Sequence, residues 1–363
     1  MRLIAKVMLV ALALGACSPR GQVIIDPAAA TADGKVQKIF FGTSRGLSES
    51  GAFGRARSEH LTLGQYNVSV PPERERGQIN WPKYGRAPDP TTDFITTEAG
   101  RYRSTAGFRS DLSRDLRQKD GNAVVFLHGF NNNFAEGLYR NVQIAHDLDI
   151  PSSVIHYSWP SAAQPLGYVY DRDSSLYARD GLVQLLHEIK ASGAKKIVLI
   201  AHSMGSNLLM ETLRSLSLAN DTNVMDSIGG VVLISPDIDV DLFHAQARAI
   251  KKMPKPFVVF SSEKDRILQL SSLLTGMNAR LGTLTDMQKI ADLPIIILDT
   301  AAFSQGAGHF NLGDNPVLLK IFDGLSSIDE ALSDERMSRT GLIPGAVLTV
   351  QNATQIVLSP VLK

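Results

Sequence analysis

The stretch KKIVLIAHSMGSNLLMETLR, Lys195 to Arg214, changes its periodicity in mid-course. Ile197 to Ala201 is a short unbroken apolar run rich in β-branched residues, the pattern of a strand buried on both faces of a parallel sheet. After Gly205 the spacing becomes helical, with Leu209, Leu213 and Leu216 on one face. Ser203 falls at the corner, with small Ala201 before it and small Gly205 after it. A corner that sharp brings two backbone segments together, so only small residues fit on either side of the strained position. The geometry has a chemical use. A serine hydroxyl is a poor nucleophile unless it is exposed, held rigidly and set beside a base, and the helix that follows aims its N-terminal amides at any oxyanion formed there. Strand before, helix after, and small residues around it identify Ser203 as the candidate nucleophile.

The chain has 363 residues, 44% of them hydrophobic, which is ample for one large core. Its formal net charge of +1 gives no electrostatic reason to expect nucleic acid as a partner. Neither an H-E-x-x-H zinc motif nor a glycine-rich phosphate loop occurs, so no metal or cofactor is expected. The Asp237 segment DIDVDLF superficially suggests a calcium loop, but Leu242 stands where that loop needs glycine. Asp241 reads instead as a helix N-cap.

The composition shifts only at the start. MRLIAKVMLVALALGACSPRG has a basic beginning, an apolar stretch from Val7 to Ala16 too short to span a bilayer, and then the only cysteine. LGAC, Leu14 to Cys17, resembles the bacterial lipoprotein box, in which the cysteine becomes the lipidated first residue of the mature protein. A lone cysteine has no internal disulfide partner, which leaves an exported chain little other use for it. Ser18 follows it, where the same resemblance reserves aspartate for inner-membrane retention, so the outer membrane is the expected location. The expected organisation is a signal peptide over residues 1–17, a flexible tether over 18–35 and a folded domain over 36–325. A C-terminal extension, 326–363, is expected to add an edge strand.

From Val36 onward strand-like and helix-like segments alternate. VQKIFFGTS and YNVSVP read as opening strands. NAVVFLHGF, SSVIHYSWPS, IGGVVLISPD, KPFVVFSSEKD and LPIIILDT follow, and SSLYARDGLVQLLHEIKASG reads as one helix ended by Gly193. The alternation predicts an α/β fold with a mostly parallel central sheet covered by helices on both faces, its ligand site beyond the carboxyl ends of the strands.

Of eight histidines, His309 lies in a glycine-rich loop after the last of these strands, where a base for Ser203 belongs. His146, His187 and His244 fall in helices, His156 in a strand and His60 in the polar opening segment. His202 is next to the nucleophile but points away from it within the turn, and His128 heads a loop that it is expected to brace. Two acids follow consecutive strands. Asp265 comes after the second strand beyond the serine, giving the chain order serine, acid, histidine; Asp237, after the first, is the alternative. An oxyanion hole needs two backbone N–H groups, expected from Met204 and from Phe130, where Gly129 lets the loop pass close to the site. Trp159, Phe130 and ILQLSSLLTGM are more readily core than acyl pocket or lid.

In order, FFGTSR, LGQYNVSVPPERERGQI, FLHGFNNNF, YSWPS, AHSMGSNLL, SPDIDVDLF, FSSEKD and GHFNL make the chain resemble a bacterial α/β-hydrolase family of unknown function, from about Val36 to Leu319. The resemblance implies the α/β-hydrolase fold, a triad of Ser203, Asp265 and His309, and hydrolysis of a small-molecule or lipid ester. Ala201 departs from the glycine usual at that position, a change that keeps the residue small. An acyltransferase with the same triad, or a non-catalytic envelope protein on this fold, are the alternatives. The intact set of serine, acid, histidine and HGF loop argues against the second.

Overall fold

The computed structural model describes residues 20–30, 34–83, 85–276, 279–303, 345–350 and 353–358. Among these residues eleven strands form a single sheet in the order β10-β11-β9-β8-β7-β6-β4-β5-β1-β2-β3. The strands are β1 (Lys35–Leu47), β2 (Phe53–Val70), β3 (Ile95–Arg101), β4 (Ala123–Leu127), β5 (Ser153–Ser158), β6 (Ile197–His202), β7 (Ile228–Ile234), β8 (Phe257–Ser261), β9 (Ile296–Asp299), β10 (Gly345–Val350) and β11 (Ala353–Leu358). From β1 through β5, β4, β6, β7, β8 and β9 to β11 every pairing is parallel, while β2, β3 and β10 run antiparallel to their neighbours.

Alternate residues of the buried strands feed opposite faces, as the two-residue period requires. Val125 and Leu127 join Leu199 and Ala201 on one face, under α1 (Thr105–Gln118), α4 (Arg179–Ala191), α5 (Met204–Leu218), α6 (Thr222–Met225) and α7 (Val240–Ala249). Val124, Phe126, Ile200 and Val232 point to the other. There α2 (Phe134–Asp147) packs Leu138 and Val142 against Ile39 and Phe41. Its start is fixed by a capping box in which Asn133 and Glu136 satisfy each other's backbone amides.

Several elements depart from the sequence reading. β2 is continuous from Phe53, so His60 lies in a strand, and β3 and α1 were not anticipated. The single helix expected before Gly193 is two, α3 (Tyr168–Tyr177) and α4, meeting at buried Ala178. The Tyr157 hydroxyl donates to the Ala178 carbonyl at 2.6 Å, a contact that no local pattern announces. Asp239, not Asp241, caps α7, accepting from the amides of Asp241 and Leu242. The C-terminal extension contributes two strands: β11 pairs with β9, and β10 becomes the edge.

The tether expected over residues 18–35 is docked on the body where it is described. Arg20 donates to the Asn131 carbonyl at 2.7 Å and side-chain oxygen at 3.0 Å, and pairs with Glu136 at 2.5 Å. Gly21 donates to Glu136 at 3.1 Å, and Ile24 and Asp26 exchange backbone hydrogen bonds with Thr96 of edge strand β3. Charge-assisted bonds and an open strand edge together hold a polar segment that composition alone reads as loose. Among the described residues no helix is long and apolar enough to cross a membrane.

Candidate active site

β4 lies between β5 and β6. The chain leaves β4 through α2 toward β5 on one side and leaves β6 through α5 toward β7 on the other. Their exits diverge, and that opens a crevice at the carboxyl ends of two adjacent strands, the place where open α/β sheets bind ligands. The loop after β4 is His128-Gly129-Phe130, and the corner after β6 is Ser203.

Ser203 has φ 52° and ψ −122°, a conformation suited to glycine that costs a residue with a Cβ about 1–3 kcal/mol. Asn131 (φ 58°) and Ser235 (φ 43°), just past β4 and β7, also have positive φ, so strain gathers at the ends of neighbouring strands. The corner is held by the Ser203 amide donating to Ile234 at 2.9 Å and the Ser203 carbonyl accepting from Asp237 at 3.2 Å. Two glycines permit the close approach. A Cβ on Gly205 would sit 2.4 Å from the His128 carbonyl oxygen, and one on Gly129 would sit 3.0 Å from the Ser203 Cβ. The loop backbone therefore runs alongside the nucleophile. Met204 opens α5, where the first amides lack intrahelical acceptors and the dipole favours negative charge.

The loop is held from behind by residues that the sequence reading left unassigned. Arg45, at the end of FFGTSR, is fully buried. It donates to Ser158 Oγ at 2.8 Å and to the carbonyls of Asn132 at 2.8 Å, Ser161 at 3.0 Å and Gly54 at 3.1 Å. Its Nη2 also faces His128 Nε2 at 3.3 Å. Burial pushes its pKa down to about 9, opposed by the charge of Asp171, so it stays a cation at neutral pH. Asp171, whose own pKa burial raises, accepts from Ser161 Oγ and the Ala162 amide at 2.6 Å and from the Asn131 amide at 3.1 Å. Guanidinium and carboxylate thus grip the loop at Asn132 and Asn131.

His128 braces the loop as expected. Its ring stacks on Trp159 at 4.7 Å, and Nδ1 lies 2.9 Å from the Gly129 carbonyl. Burial, then the charge of Arg45, holds it well below the usual histidine range and therefore neutral. Trp159 is wholly buried core, and Phe130 is half-buried with its ring edge-on to Tyr168 at 5.5 Å. The ILQLSSLLTGM segment, expected to be core, mostly is not. It forms α8 (Arg266–Leu274), with Leu270, Leu273 and Leu274 exposed.

The two acids differ in surroundings. Asp265 caps α8: its Oδ1 accepts from the Ile267 and Leu268 amides at 3.1 and 3.0 Å, and it is fully buried. The helix end fixes the carboxylate in position. Asp237 is occupied by a different network: Ser271 Oγ at 2.6 Å, Tyr168 OH at 2.9 Å and Arg280 Nε at 3.3 Å. Its carboxylate is part of a buried ion pair with Arg280. His309 and Cys17 lie outside the described residues. Among the other histidines, His187 pairs with Asp221 and His244 with Asp292, each at 2.8 Å. His156 is buried in the core, and its pKa is pushed down to about 3 by burial. Among the described residues no cluster of three or more histidine, cysteine or acidic side chains could hold a metal ion.

A mostly parallel sheet with helices on both faces, broken at its switch point by a strained serine corner, is the architecture of an α/β-hydrolase. Residues 104–293, just over half of the chain, match the family described as "Alpha/beta hydrolase of unknown function", and the chain belongs to that family. Solved structures with a similar chain course share little sequence. A "predicted CIB-like hydrolase" from Thermoplasma acidophilum is 13% identical, with a TM-score of 0.37 over 80% of this chain and 100% of that one. An esterase B from Lactobacillus rhamnosis is 13% identical, with a TM-score of 0.35 over 92% and 98%. An esterase from Pyrococcus furiosus is 11% identical, with a TM-score of 0.36 over 87% and 96%. The fold rests on the strand order and the family match. Among curated proteins none matches the sequence.

Proposed function

We propose that the protein is a serine ester hydrolase anchored in the bacterial envelope. The observation that carries the chemistry is the strained Ser203 corner, closely apposed to the Gly129 loop at the switch point of the sheet. In the proposed reaction His309, oriented by Asp265, takes the Ser203 proton as Oγ attacks the ester carbonyl. The amides of Met204 and Phe130 receive the oxyanion. His309 returns the proton to the leaving alcohol, and the acyl-enzyme is hydrolysed by water activated on the same imidazole. A fluorophosphonate probe, which mimics that tetrahedral state, should label the full chain at Ser203, and a short-chain ester should be turned over. Absence of both would leave a binding protein on a hydrolase fold.

Arg45 holds the oxyanion loop without touching substrate in this mechanism, so Arg45→Met is expected to act mainly on kcat. A loosened oxyanion donor costs about 100-fold. Stability should fall by roughly 3 kcal/mol, because the carbonyls of Gly54, Ser161 and Asn132 lose a charged donor. Lysine should rescue poorly, since it lacks the fork that reaches three carbonyls. Kinetics well below the variant's melting temperature separate the two effects; a kcat within threefold of wild type would remove Arg45 from the mechanism.

The envelope reading stands on Leu14-Gly15-Ala16-Cys17 after a short apolar run. The wild type should fractionate with membranes and incorporate labelled fatty acid, and several acyl chains give the stable attachment that one does not. Cys17→Ser should abolish both and leave short-chain ester turnover unchanged, because Arg20 and Gly21 keep their contacts with the body. A soluble wild type with an unmodified cysteine would overturn the anchor.

A further inference from the structure

Two exposed apolar segments meet beside the site. Leu166, fully exposed, and Val169 lie at the start of α3, while Ile267, Leu270, Leu273 and Leu274 lie on α8. Tyr168 OH and Ser271 Oγ, 2.8 Å apart, join these helices, and the Tyr168 ring packs on Phe130. The patch therefore borders the oxyanion loop. Exposed apolar side chains on two segments joined in this way mark contact with another apolar phase or molecule.

The start of the folded chain says which. Arg20 is fixed to Asn131, the residue after Phe130, and Asn131 in turn donates to Asp171 of α3. Cys17 lies only three residues before Arg20, so the intervening chain reaches about 11 Å at full extension. A lipid carried on Cys17 would then hold the bilayer against the rim of the oxyanion loop, the rim that α3 and α8 share. A long free tether would leave the orientation open; this docked one does not.

We propose that the apolar face of α3 and α8 is a docking surface for the phospholipid bilayer, which turns the Ser203 crevice toward the membrane and makes membrane-resident lipid esters its substrate class. The choice of occupant rests on the envelope reading above. The test is therefore made in the Cys17→Ser chain, where attachment cannot come from the lipid. That full chain should cosediment with vesicles of phosphatidylethanolamine and phosphatidylglycerol. Adding Leu270→Glu and Leu273→Glu should lower partitioning at least tenfold, with soluble short-chain ester turnover unchanged. Where the double glutamate variant fails to fold, Val169→Ser with Leu273→Ser makes the same comparison with a milder change.

Equal partitioning of variant and parent would overturn the proposal. So would a dimer of the parent chain that the substitutions dissociate, since a second copy would then cover the face. If partitioning falls as expected while neither protein turns over the ester, the docking surface stands and the hydrolase reading fails.

Discussion

Ser203→Ala should abolish fluorophosphonate labelling and lower ester turnover by roughly five to six orders of magnitude, the loss expected when a triad nucleophile is removed. The fold should survive. The substitution removes one oxygen and keeps the Cβ, and the corner is held by backbone bonds to Ile234 and Asp237 that do not involve the hydroxyl. Ser203→Gly supplies a second readout. At φ 52° and ψ −122° the native residue sits where only glycine is at ease, so glycine should be more stable than alanine there by about 1 kcal/mol. The pair would show an inactive protein gaining stability as corner strain is released, measured as a rise in the denaturant midpoint of Ser203→Gly over Ser203→Ala. Full labelling of Ser203→Ala at another serine would place the nucleophile elsewhere.

What the sequence revealed is what is local. The corner at Ser203 was legible because the strand, the small residues and the helix that create it lie within twenty consecutive positions. The parallel sheet was legible because its strands are continuous apolar runs buried on both faces. Contacts made at long range were not. Arg45 bonds to residues more than eighty positions away at Asn132 and more than a hundred away at Ser158 and Ser161, and nothing in FFGTSR indicates the carbonyls it meets. Ala178 breaks a helix where a tyrosine from β5 reaches its carbonyl, although the apolar periodicity runs on through it. The polar N-terminal segment was read as loose because composition gives no sign that Asn131, Glu136 and the edge of β3 await it.

The choice between the two acids belongs to this second kind, and it carries the other large effect. Asp237 and Asp265 both follow strand ends, so sequence order favours one without excluding the other. Their partners differ: Asp237 is surrounded by Tyr168, Ser271 and Arg280, whereas Asp265 is fixed by the first amides of α8. Asp265→Asn retains a side-chain oxygen for those amides, so the helix cap and the fold should hold. An amide cannot favour the imidazole tautomer that the reaction needs or stabilise its cation, and kcat should fall by about 10⁴. Asp237→Asn should do the opposite. Arg280 loses the carboxylate at 3.3 Å, and breaking a buried ion pair costs about 3 kcal/mol, seen as a lower denaturant midpoint. The backbone bond from Asp237 to the Ser203 carbonyl is untouched, so kcat below the melting range should stay within a few-fold of wild type. One variant would be stable and inactive, the other active and unstable. The reverse ranking would transfer the role of triad acid to Asp237, and the Tyr168 network would then have to open for His309 to reach it.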